Sequence, residues 1–528
     1  MSGIVQKRRD SAVLVARPNL PLALSDLAVD LGSPLPIYAQ ICSAVRSAVE
    51  AGDLPPGTLM PTARDFAIAL GVGRNTVVNA YSRLAAEGYL EAKVRRGTRV
   101  TSPASASARE QVGATRAADM PNRNESMTAP KAAYWARQLF AEHSINEPNY
   151  RPFSLHAVDS SLYPRSQLSR LLSEEFLRAP SAETAYGDCS DLQRFQTAVA
   201  AHVRQAHGIV CEPGQIIPTT DVAAAISLVA RLIIDPGHAA YVEEPCWDVV
   251  RTIFSQSAGA RIFPMPTGGS DANLSAMHGP PPRLICASPS VSFPFGIQMP
   301  DSRRQCLVDL ARKSDSVIFE FDAYGELLFA GSRQGAIYSR DPTRVIYYAG
   351  LRKTFGPKLR VGYLIVPEHL VDPAAHLVRI APVTPEHYVL SALATALNDG
   401  LYALHVKKLR AIYAERMAHL VDLCRTHIPL ATVMEPRGGL HLTLLLPKSI
   451  AEAAVCEIAD RNGLSLAPLG RFYAGASHVN GIVVGIGACP DRNLDSLVRR
   501  LAQCIDEAAE NASGRPVGAQ HQPLHKVG

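Results

Sequence analysis

The sequence predicts a multidomain α/β protein, with a small N-terminal winged helix-turn-helix followed by a large domain built on a mostly parallel sheet. Its 528 residues exceed the roughly 100 to 200 of one ordinary domain. Between residues 36 and 100, apolar side chains recur at helical spacing in short segments. After about residue 150, short apolar runs alternate with segments of helix length, which is typical of βαβ units.

Composition limits the classes of protein that this chain can belong to. Hydrophobic residues make up 47% and charged residues 19%, as in globular proteins, and the net charge is only +5. Any nucleic-acid contact must therefore come from a local basic patch. The ten cysteines form no C-x-x-C pair and no zinc-like spacing with histidine, so no metal site or disulfide framework is expected. No signal peptide or apolar run of ~18 residues is present, which predicts a cytoplasmic protein without a membrane partner.

A linker rich in proline, serine, alanine and arginine separates the two predicted domains. It contains few large apolar residues, as expected of a flexible connection. The predicted divisions are an N-terminal arm without strong periodicity at 1–33, a winged-helix domain at 34–101, a linker at 102–149, the large domain at 150–510 and a disordered tail at 511–528.

Three amphipathic helices are predicted in the small domain. Thr62, with Asp65 three residues later, resembles a capping box that starts the second helix, and Gly71 suits the left-handed position after its end. Only Val72 and Gly73 separate this helix from the third, which is the arrangement of a helix-turn-helix. The apolar stripes of the first and third helices are Ile37, Ile41, Val45 and Ala48, then Val77, Ala80, Tyr81 and Leu84.

The start of the third helix is predicted to face DNA. Arg74 and Asn75 are exposed there, where a recognition helix meets base edges and phosphates in the major groove. Beyond Gly88, a predicted β-hairpin carries basic residues that can grip the backbone. Residues 36–100 hold eight Lys and Arg against five Asp and Glu. From periodicity alone, a helical protein-interaction module with solvated arginines remains the alternative.

Residues 36–100 resemble the winged-helix domain of GntR-type regulators. The resemblance rests on the runs P-I-Y-A-Q-I, G-D-L-P-P-G-T-L-M-P-T-A-R, G-V-G-R-N-T-V-V-N-A-Y-S-R-L-A-A-E-G-Y-L and R-G-T-R-V. One departure is Gly73, where the family prefers a capping serine. The resemblance implies binding to a double-stranded DNA operator through Arg64, Arg74, Asn75, Thr76, Arg95, Arg96, Gly97 and Thr98.

Five apolar runs of the large domain are predicted as buried strands, each followed at once by polar residues. Asp221 comes after the first run, and Arg352 and Lys353 come after the last. Ligands of open α/β sheets bind beyond the carboxyl ends of the strands, so the five polar clusters should converge on one crevice. The runs are Gln215–Pro218, Ala240–Val242, Arg283–Ala287, Val317–Phe321 and Val345–Tyr348.

The residues of these clusters fit pyridoxal 5'-phosphate. Lys353 can form a Schiff base, and Asp322 can keep a pyridine nitrogen protonated. Tyr324 can donate to the phenolic oxygen, Trp247 can stack on the ring, and Arg360 can clamp the phosphate. Each residue alone has an ordinary structural explanation, but their joint order along the chain favours the cofactor.

Residues from about 150 to 505 resemble the fold-type I, pyridoxal-phosphate-dependent aminotransferase domain, and the whole chain resembles MocR-type regulators. The matching runs are F-E-F-D-A-Y and Y-Y-A-G-L-R-K-T-F-G-P-K-L-R-V-G-Y-L, with support from Y-G-D, V-E-E-P-C-W and G-G-L-H-L. The resemblance gives Lys353, Asp322, Tyr324 and Arg360 the roles named above. It also implies a homodimer in which Tyr186 reaches the partner's site.

The sequence departs from the aminotransferase pattern at the phosphate end. Gly350 and Arg352 stand where the family usually has hydroxyl residues, and Asp221 stands where the phosphate should lie. Two like charges ~4 Å apart cost about 4 kcal/mol at an effective dielectric near 20. Arg352 can compensate by binding the phosphate or by pairing with Asp221. We find no clear counterpart of the arginine that fixes a substrate carboxylate.

The sequence therefore predicts a DNA-binding transcription regulator that acts as a dimer. Its aminotransferase-like domain would bind pyridoxal phosphate, an amine or amino-acid effector, or both, with at most residual transaminase turnover. Two alternatives remain: an aminotransferase with an accessory DNA-binding domain, and a regulator whose vestigial large domain has lost the cofactor.

Overall fold

The computed structural model describes residues 21–101 and 151–513, apart from residues 25, 26, 28, 31, 34, 94–96, 156, 179–189, 268–278, 332–333, 357–358, 382, 476–478, 488 and 490. The chain divides into two compact units, Met1–Ala133 and Tyr134–Gly528. The predicted linker at 102–149, together with Arg95, Arg96 and Tyr186, lies outside the described residues.

The N-terminal unit has the predicted three helices and hairpin. The Thr62 hydroxyl accepts a hydrogen bond from the Asp65 amide at 3.2 Å, and Gly71 has the left-handed conformation with a φ of 67°. These local signals start and end the second helix where the sequence predicted. The elements are α1 Ile37–Glu50, α2 Ala63–Leu70, α3 Arg74–Ala86, β1 Leu90–Lys93 and β2 Gly97–Val100, with the two strands antiparallel.

The core of this unit joins all three helices to the hairpin. Ile41, Phe66, Val77 and Leu84 are fully buried in it. Part of the predicted arm also belongs to this core, because Leu22–Leu24 forms a short 3-10 turn and Leu24 is 1% exposed. Burial of such a side chain contributes about 1.5–3 kcal/mol. The sequence did not show this contact, since one leucine has no periodicity.

The large unit is built on a seven-stranded sheet in the order β3-β9-β8-β7-β6-β4-β5. Strand β9 runs antiparallel to β3 and β8, and the other six strands run in one direction. The mostly parallel sheet predicted from the apolar runs is thereby confirmed. Its strands are β3 Ile216–Thr219, β4 Ala239–Glu244, β5 Arg261–Pro266, β6 Leu284–Ala287, β7 Val317–Asp322, β8 Val345–Gly350 and β9 Gly362–Ile365.

Successive side chains of a strand alternate between the two faces of this sheet. Tyr347 belongs to the apolar core on one face, and Tyr348 belongs to the core on the other. Helices supply the remaining parts of both cores, as a parallel sheet requires. They are α4 Arg165–Leu177, α5 Ser190–His207, α6 Val222–Ile233, α7 Asp248–Thr252, α8 Asp301–Ser314, α9 Arg352–Phe355, α10 Val371–Ile380 and α11 His387–Asn398.

A smaller antiparallel sheet follows the long helix α12, Leu401–His427. Its strand order is β10-β11-β13-β12, and it packs with α12, α13 and α14 around a separate apolar core. Helix α14 continues three residues past the predicted boundary at 510. The elements are β10 Thr432–Met434, β11 His441–Leu445, α13 Glu452–Arg461, β12 Ala467–Pro468, β13 Gly481–Gly485 and α14 Asp491–Ser513.

Two further observations concern composition. Nine cysteines lie among the described residues, and all nine are free thiols. Within the same residues, no helix combines the length and the apolar character needed to cross a membrane.

Candidate functional site

A pocket opens beyond the carboxyl ends of the parallel strands. It encloses about 780 Å³, including its opening to solvent, which is within the usual range of small-molecule sites. Apolar lining comes from several side chains, with Trp247 and Phe293 among the largest. The structure thus brings together four of the residues predicted to hold a cofactor. The polar side chains of the lining are Asp221, Tyr324, Tyr348, Arg352, Lys353 and His441.

Lys353 directly follows the end of β8, in the first turn of the short helix α9. Its Nζ lies 6.0 Å from the centre of the Tyr324 ring. Burial, together with the positive charge of Arg352, lowers the pKa of Lys353 to about 8. A sizeable fraction of the amine is therefore neutral near physiological pH, which is the form that attacks a carbonyl.

Asp322 is the last residue of β7 and is 5% exposed. Its Oδ2 accepts a hydrogen bond from the Tyr347 hydroxyl at 2.9 Å, whereas Oδ1 is buried and has no hydrogen-bond partner within the described part of the chain. An unpaired buried oxygen of this kind costs ~1–3 kcal/mol. A protonated ring nitrogen would remove that cost. Asp322 lines a small cavity that shares Ala323, Tyr324 and Gly350 with the main pocket.

Tyr324 forms part of an aromatic wall of the pocket. Its hydroxyl lies 3.3 Å from His441 Nε2, and the two rings meet edge to face. Phe293 meets both His441 and Phe472 in the same way. Burial raises the pKa of Tyr324, so the phenol keeps its proton and remains a hydrogen-bond donor.

The phosphate end of the pocket differs from the expectation. Arg360, predicted to clamp the phosphate, forms an ion pair with Asp221 instead. Asp221 also caps α6, because its Oδ1 accepts from the Ala224 amide at 2.9 Å. The pairing of Arg352 with Asp221, one of the two alternatives from the sequence, does not occur. Arg352 is exposed at the pocket and makes no ion pair or hydrogen bond with any described residue.

A glycine at position 350 has a local structural reason. A side chain there would bring its Cβ within 2.8 Å of the Tyr348 hydroxyl.

The residues of the ring end fit pyridoxal phosphate, because an amine, a carboxylate and a phenol are in place. At the phosphate end, Arg352 is the cation that the described residues leave without a partner.

Sequence reasoning missed two residues behind Asp322. Tyr347 donates to its carboxylate, and His207 Nδ1 lies 4.0 Å from Oδ2. Both side chains are buried; Tyr347 begins the run Y-Y-A-G-L-R-K but was given no role there, and His207 belongs to no recognisable motif. The alternation of β8 was the only available signal, since it places Tyr347 on the opposite face from Tyr348.

The winged-helix unit presents some of its predicted DNA contacts on the surface. Arg64, Arg74 and Asn75 are exposed, and Thr76 and Thr98 are half-buried. Gly97 has a φ of 78°, and a Cβ there would lie 2.9 Å from the Leu59 side chain, so both the turn and the packing favour glycine.

Other basic residues of this unit are occupied within it. Arg46 pairs with Glu87 at 3.0 Å, Lys93 pairs with Glu91 at 3.1 Å, and Arg99 donates to the Gly57 carbonyl at 2.7 Å. Arg64 and Arg74 make no such contact with the described residues, and their guanidinium groups are therefore available for phosphates.

Comparisons with known proteins cover both units. Residues 37–100 match the family described as bacterial regulatory proteins, gntR family, and residues 161–501 match aminotransferase class I and II. The chain is 30% identical to the probable rhizopine catabolism regulatory protein MocR of Rhizobium meliloti, over 93% of this chain and 98% of that protein. It is 27% identical to the HTH-type pyridoxine biosynthesis transcriptional regulator PdxR of Corynebacterium glutamicum, over 91% and 99%.

Solved structures match the large unit. An archaeal alanine:glyoxylate aminotransferase has a TM-score of 0.63 at 20% identity, over 71% of this chain and 96% of that one. LysN, an alpha-aminoadipate aminotransferase from Thermus thermophilus solved with N-(5'-phosphopyridoxyl)-L-leucine, has a TM-score of 0.61 at 20% identity, over 71% and 95%. These likenesses establish the aminotransferase fold, which typically binds pyridoxal phosphate.

Proposed function

Because the chain belongs to the MocR type of GntR-family helix-turn-helix transcription regulators, we propose that its aminotransferase-like domain binds pyridoxal phosphate at Lys353 and senses an amine or amino acid. Membership of this family implies DNA binding by the N-terminal unit. Beyond DNA binding, we propose that a ligand controls the regulator and that the regulator acts as a homodimer. Two winged helices in one dimer supply half-site spacing and avidity.

The observation that carries the proposal is that Lys353 and Tyr324 line one pocket, while Asp322 Oδ1 is buried without a hydrogen-bond partner among the described residues, in a cavity that adjoins this pocket. When bound, pyridoxal phosphate supplies an electrophilic carbonyl and an electron-withdrawing ring. Lys353 would present its neutral amine, and Asp322 would accept a hydrogen bond from the ring nitrogen. The Tyr324 hydroxyl would donate a hydrogen bond to the ring oxygen.

Three further side chains complete the proposed site. Trp247 lines the pocket and would cover one face of the ring, which would exclude water from it. Arg352 provides positive charge for the phosphate, and Arg360 neutralises Asp221 so that the phosphate meets less repulsion. Tyr186 of the partner subunit and the linker at 102–149 are assigned their roles by resemblance. The linker would pass the ligand-dependent change to the DNA-binding units.

Absorption spectroscopy tests the cofactor proposal. Purified full-length protein is mixed with pyridoxal phosphate, and the visible band that the cofactor gains on attachment to a lysine is recorded. Wild type and a Lys313→Ala control, which removes an exposed lysine of α8, should both show the band. Lys353→Ala should lack it. Absence of the band from all three proteins would contradict the proposal and favour a vestigial, cofactor-free domain.

DNA binding provides a test that does not depend on the cofactor. Arg74→Ala should weaken binding to DNA selected from a random pool. If Arg74 contacts a base, the loss should be ~1–3 kcal/mol. If it contacts a phosphate, the slope of log affinity against log salt concentration should fall by about one. Arg46→Ala is the matched control, since Arg46 is already paired with Glu87. Fluorescence anisotropy at several salt concentrations measures both effects. Equal losses in the two variants would contradict the assignment of Arg74 to the DNA surface.

A working aminotransferase is the second candidate, because the lysine, aspartate and tyrosine of the ring end are all present in the pocket region. The charge arrangement at the phosphate end favours the sensor, since Arg360 is already occupied by Asp221. Turnover of amino donors with a 2-oxo acid distinguishes the two functions. Sustained turnover that disappears in Lys353→Ala would support the enzyme.

A further inference from the structure

Two histidines and a glutamate meet behind the floor of the cofactor pocket. His202 and His207 lie on α5, and Glu326 follows β7. Glu326 Oε1 is 2.9 Å from His202 Nε2 and 3.0 Å from His207 Nε2. The three side chains are 14%, 6% and 13% exposed in the order His202, His207, Glu326, so the cluster is largely shielded from water.

We propose that His202, His207 and Glu326 form a binding site for a divalent transition-metal ion, with Zn²⁺ as the probe. Imidazole nitrogen and carboxylate oxygen are the ligands that Zn²⁺ takes at ~2.0–2.2 Å, which places tetrahedral ligand atoms ~3.3 Å apart. Each of the three residues offers one such atom, and these atoms all lie within 4.8 Å of one another. The two distances to Glu326 Oε1 are a few tenths of an ångström shorter than this spacing, so the carboxylate and the imidazoles would separate slightly to admit the ion.

The charge state of Glu326 suits this role. Burial alone would raise the pKa of Glu326, but the hydrogen bonds from His202 and His207 outweigh burial and hold that pKa well below its usual range. Coordination would replace both hydrogen bonds. Each imidazole would bind the ion through Nε2, and its Nε2 proton would move to Nδ1 or be released to solvent, because a coordinating imidazole nitrogen carries no proton.

Surrounding residues orient the cluster in the way that outer contacts orient metal ligands. His207 Nδ1, the nitrogen that faces away from Glu326, lies 3.5 Å from the Tyr347 hydroxyl and 4.0 Å from Asp322 Oδ2. Such outer contacts orient a ligating histidine when they accept its ring N–H, and here the Tyr347 hydroxyl is the nearer group, with Asp322 beyond hydrogen-bond distance. Arg410 donates to the Glu326 carbonyl at 3.1 Å and lies 3.7 Å from Oε2, which leaves Oε1 directed at the histidines.

Charge and space near the cluster are both compatible with an ion. The positive charge of Arg410 opposes a cation, and the nearby carboxylate of Asp322 offsets it. A small cavity borders His207 and Glu326, together with Asp322 and Tyr402. It can admit a water molecule to a further coordination position, as in sites with three protein ligands. The ion would tie α5 to the segment that carries Asp322 and Tyr324.

Calorimetric titration of the full-length, untagged protein with Zn²⁺, after treatment with a chelator and without pyridoxal phosphate, tests the proposal. Wild type should bind one ion per chain. His202→Ala and Glu326→Gln should weaken that binding by more than the roughly 10–100-fold that loss of a supporting partner costs. His369→Ala, which removes an exposed histidine, should bind as wild type does.

A second measurement on wild type covers the case in which a variant does not fold, as judged by far-UV circular dichroism. Co²⁺ bound at the site should give the strong visible bands of a four- or five-coordinate ion. No binding at one ion per chain, weak six-coordinate bands, or unchanged affinity in both His202→Ala and Glu326→Gln would each overturn the proposal. None of these outcomes affects the proposal for Lys353, because the titration contains no cofactor.

Discussion

The two ends of the large pocket have opposite electrostatic organisation. At the ring end, burial lowers the pKa of the Lys353 amine, and Asp322 Oδ1 has no hydrogen-bond partner in the described part of the chain. At the phosphate end, Asp221 and Arg360 satisfy each other. The ring end is thus arranged for a ligand, whereas much of the phosphate end is already neutralised by the protein.

This difference shows where the binding free energy of a cofactor would come from. Desolvated groups gain most from a new partner, because their burial has already been offset elsewhere in the fold. An exposed ion pair contributes only ~0–1 kcal/mol, and a phosphate that approaches it must compete with it. We therefore expect capture of the cofactor to depend mainly on the ring end, with Arg352 as the main contribution from the phosphate end.

The largest effect is expected at Asp322. Asp322→Asn removes the negative charge that holds a protonated ring nitrogen, and a hydrogen bond to a charged group contributes ~1.5–3 kcal/mol. Affinity for pyridoxal phosphate should fall roughly 10- to 100-fold in an absorption titration. Tyr347→Phe, which removes only the donor to Oδ2, should have a smaller effect. Wild-type affinity in Asp322→Asn would show that this carboxylate does not contact the ring.

A smaller effect of opposite sign is expected at Asp221. Asp221→Asn keeps a side-chain oxygen to cap α6 but removes the negative charge beside the phosphate and frees Arg360. Affinity for pyridoxal phosphate should rise ~10-fold, equivalent to about 1.4 kcal/mol. Arg360→Ala is expected to have the opposite effect. It leaves the negative charge of Asp221 without its arginine, so it should weaken binding of the cofactor. If both variants shift affinity in the same direction, the phosphate does not lie beside this pair.

Local sequence signals predicted most of the fold. The side-chain cap of Thr62 and the left-handed glycine at position 71 depend on neighbouring residues, and the structure has both. The five apolar runs became five strands of one sheet because burial on both faces requires continuous apolar sequence. Asp322 ends β7 and Lys353 follows β8. Their placement at the same edge of the sheet follows from these two strands running in the same direction.

What sequence could not predict depends on side-chain direction and on distant parts of the chain. The sequence offered Arg352 as a partner for Asp221 and Arg360 for the phosphate, and only the structure shows that Arg360 pairs with Asp221. His207 and Glu326 are separated by 119 residues. No motif spacing records their approach, so an expectation of no metal site followed from the sequence, whereas the structure supports the proposal of one.

The smallest expected effect concerns Arg352 and the pH dependence of Lys353. Burial is the main reason that the pKa of Lys353 falls to about 8, and the positive charge of Arg352 adds to it. Attachment of pyridoxal phosphate needs the neutral amine, so its rate should decrease as the pH falls through about 8. Arg352→Ala raises the pKa of Lys353 and should move this midpoint to higher pH by less than about one unit.

Stopped-flow absorbance between pH 6.5 and 9.5, roughly centred on that midpoint, measures the rates. Arg360→Ala is a suitable comparison, because Arg360 is tied to Asp221 and is not among the causes that lower the pKa of Lys353. Its midpoint should stay close to that of wild type. An unchanged midpoint in Arg352→Ala would mean that Arg352 does not act on the lysine through its charge. The two ends of the pocket would then be electrostatically independent.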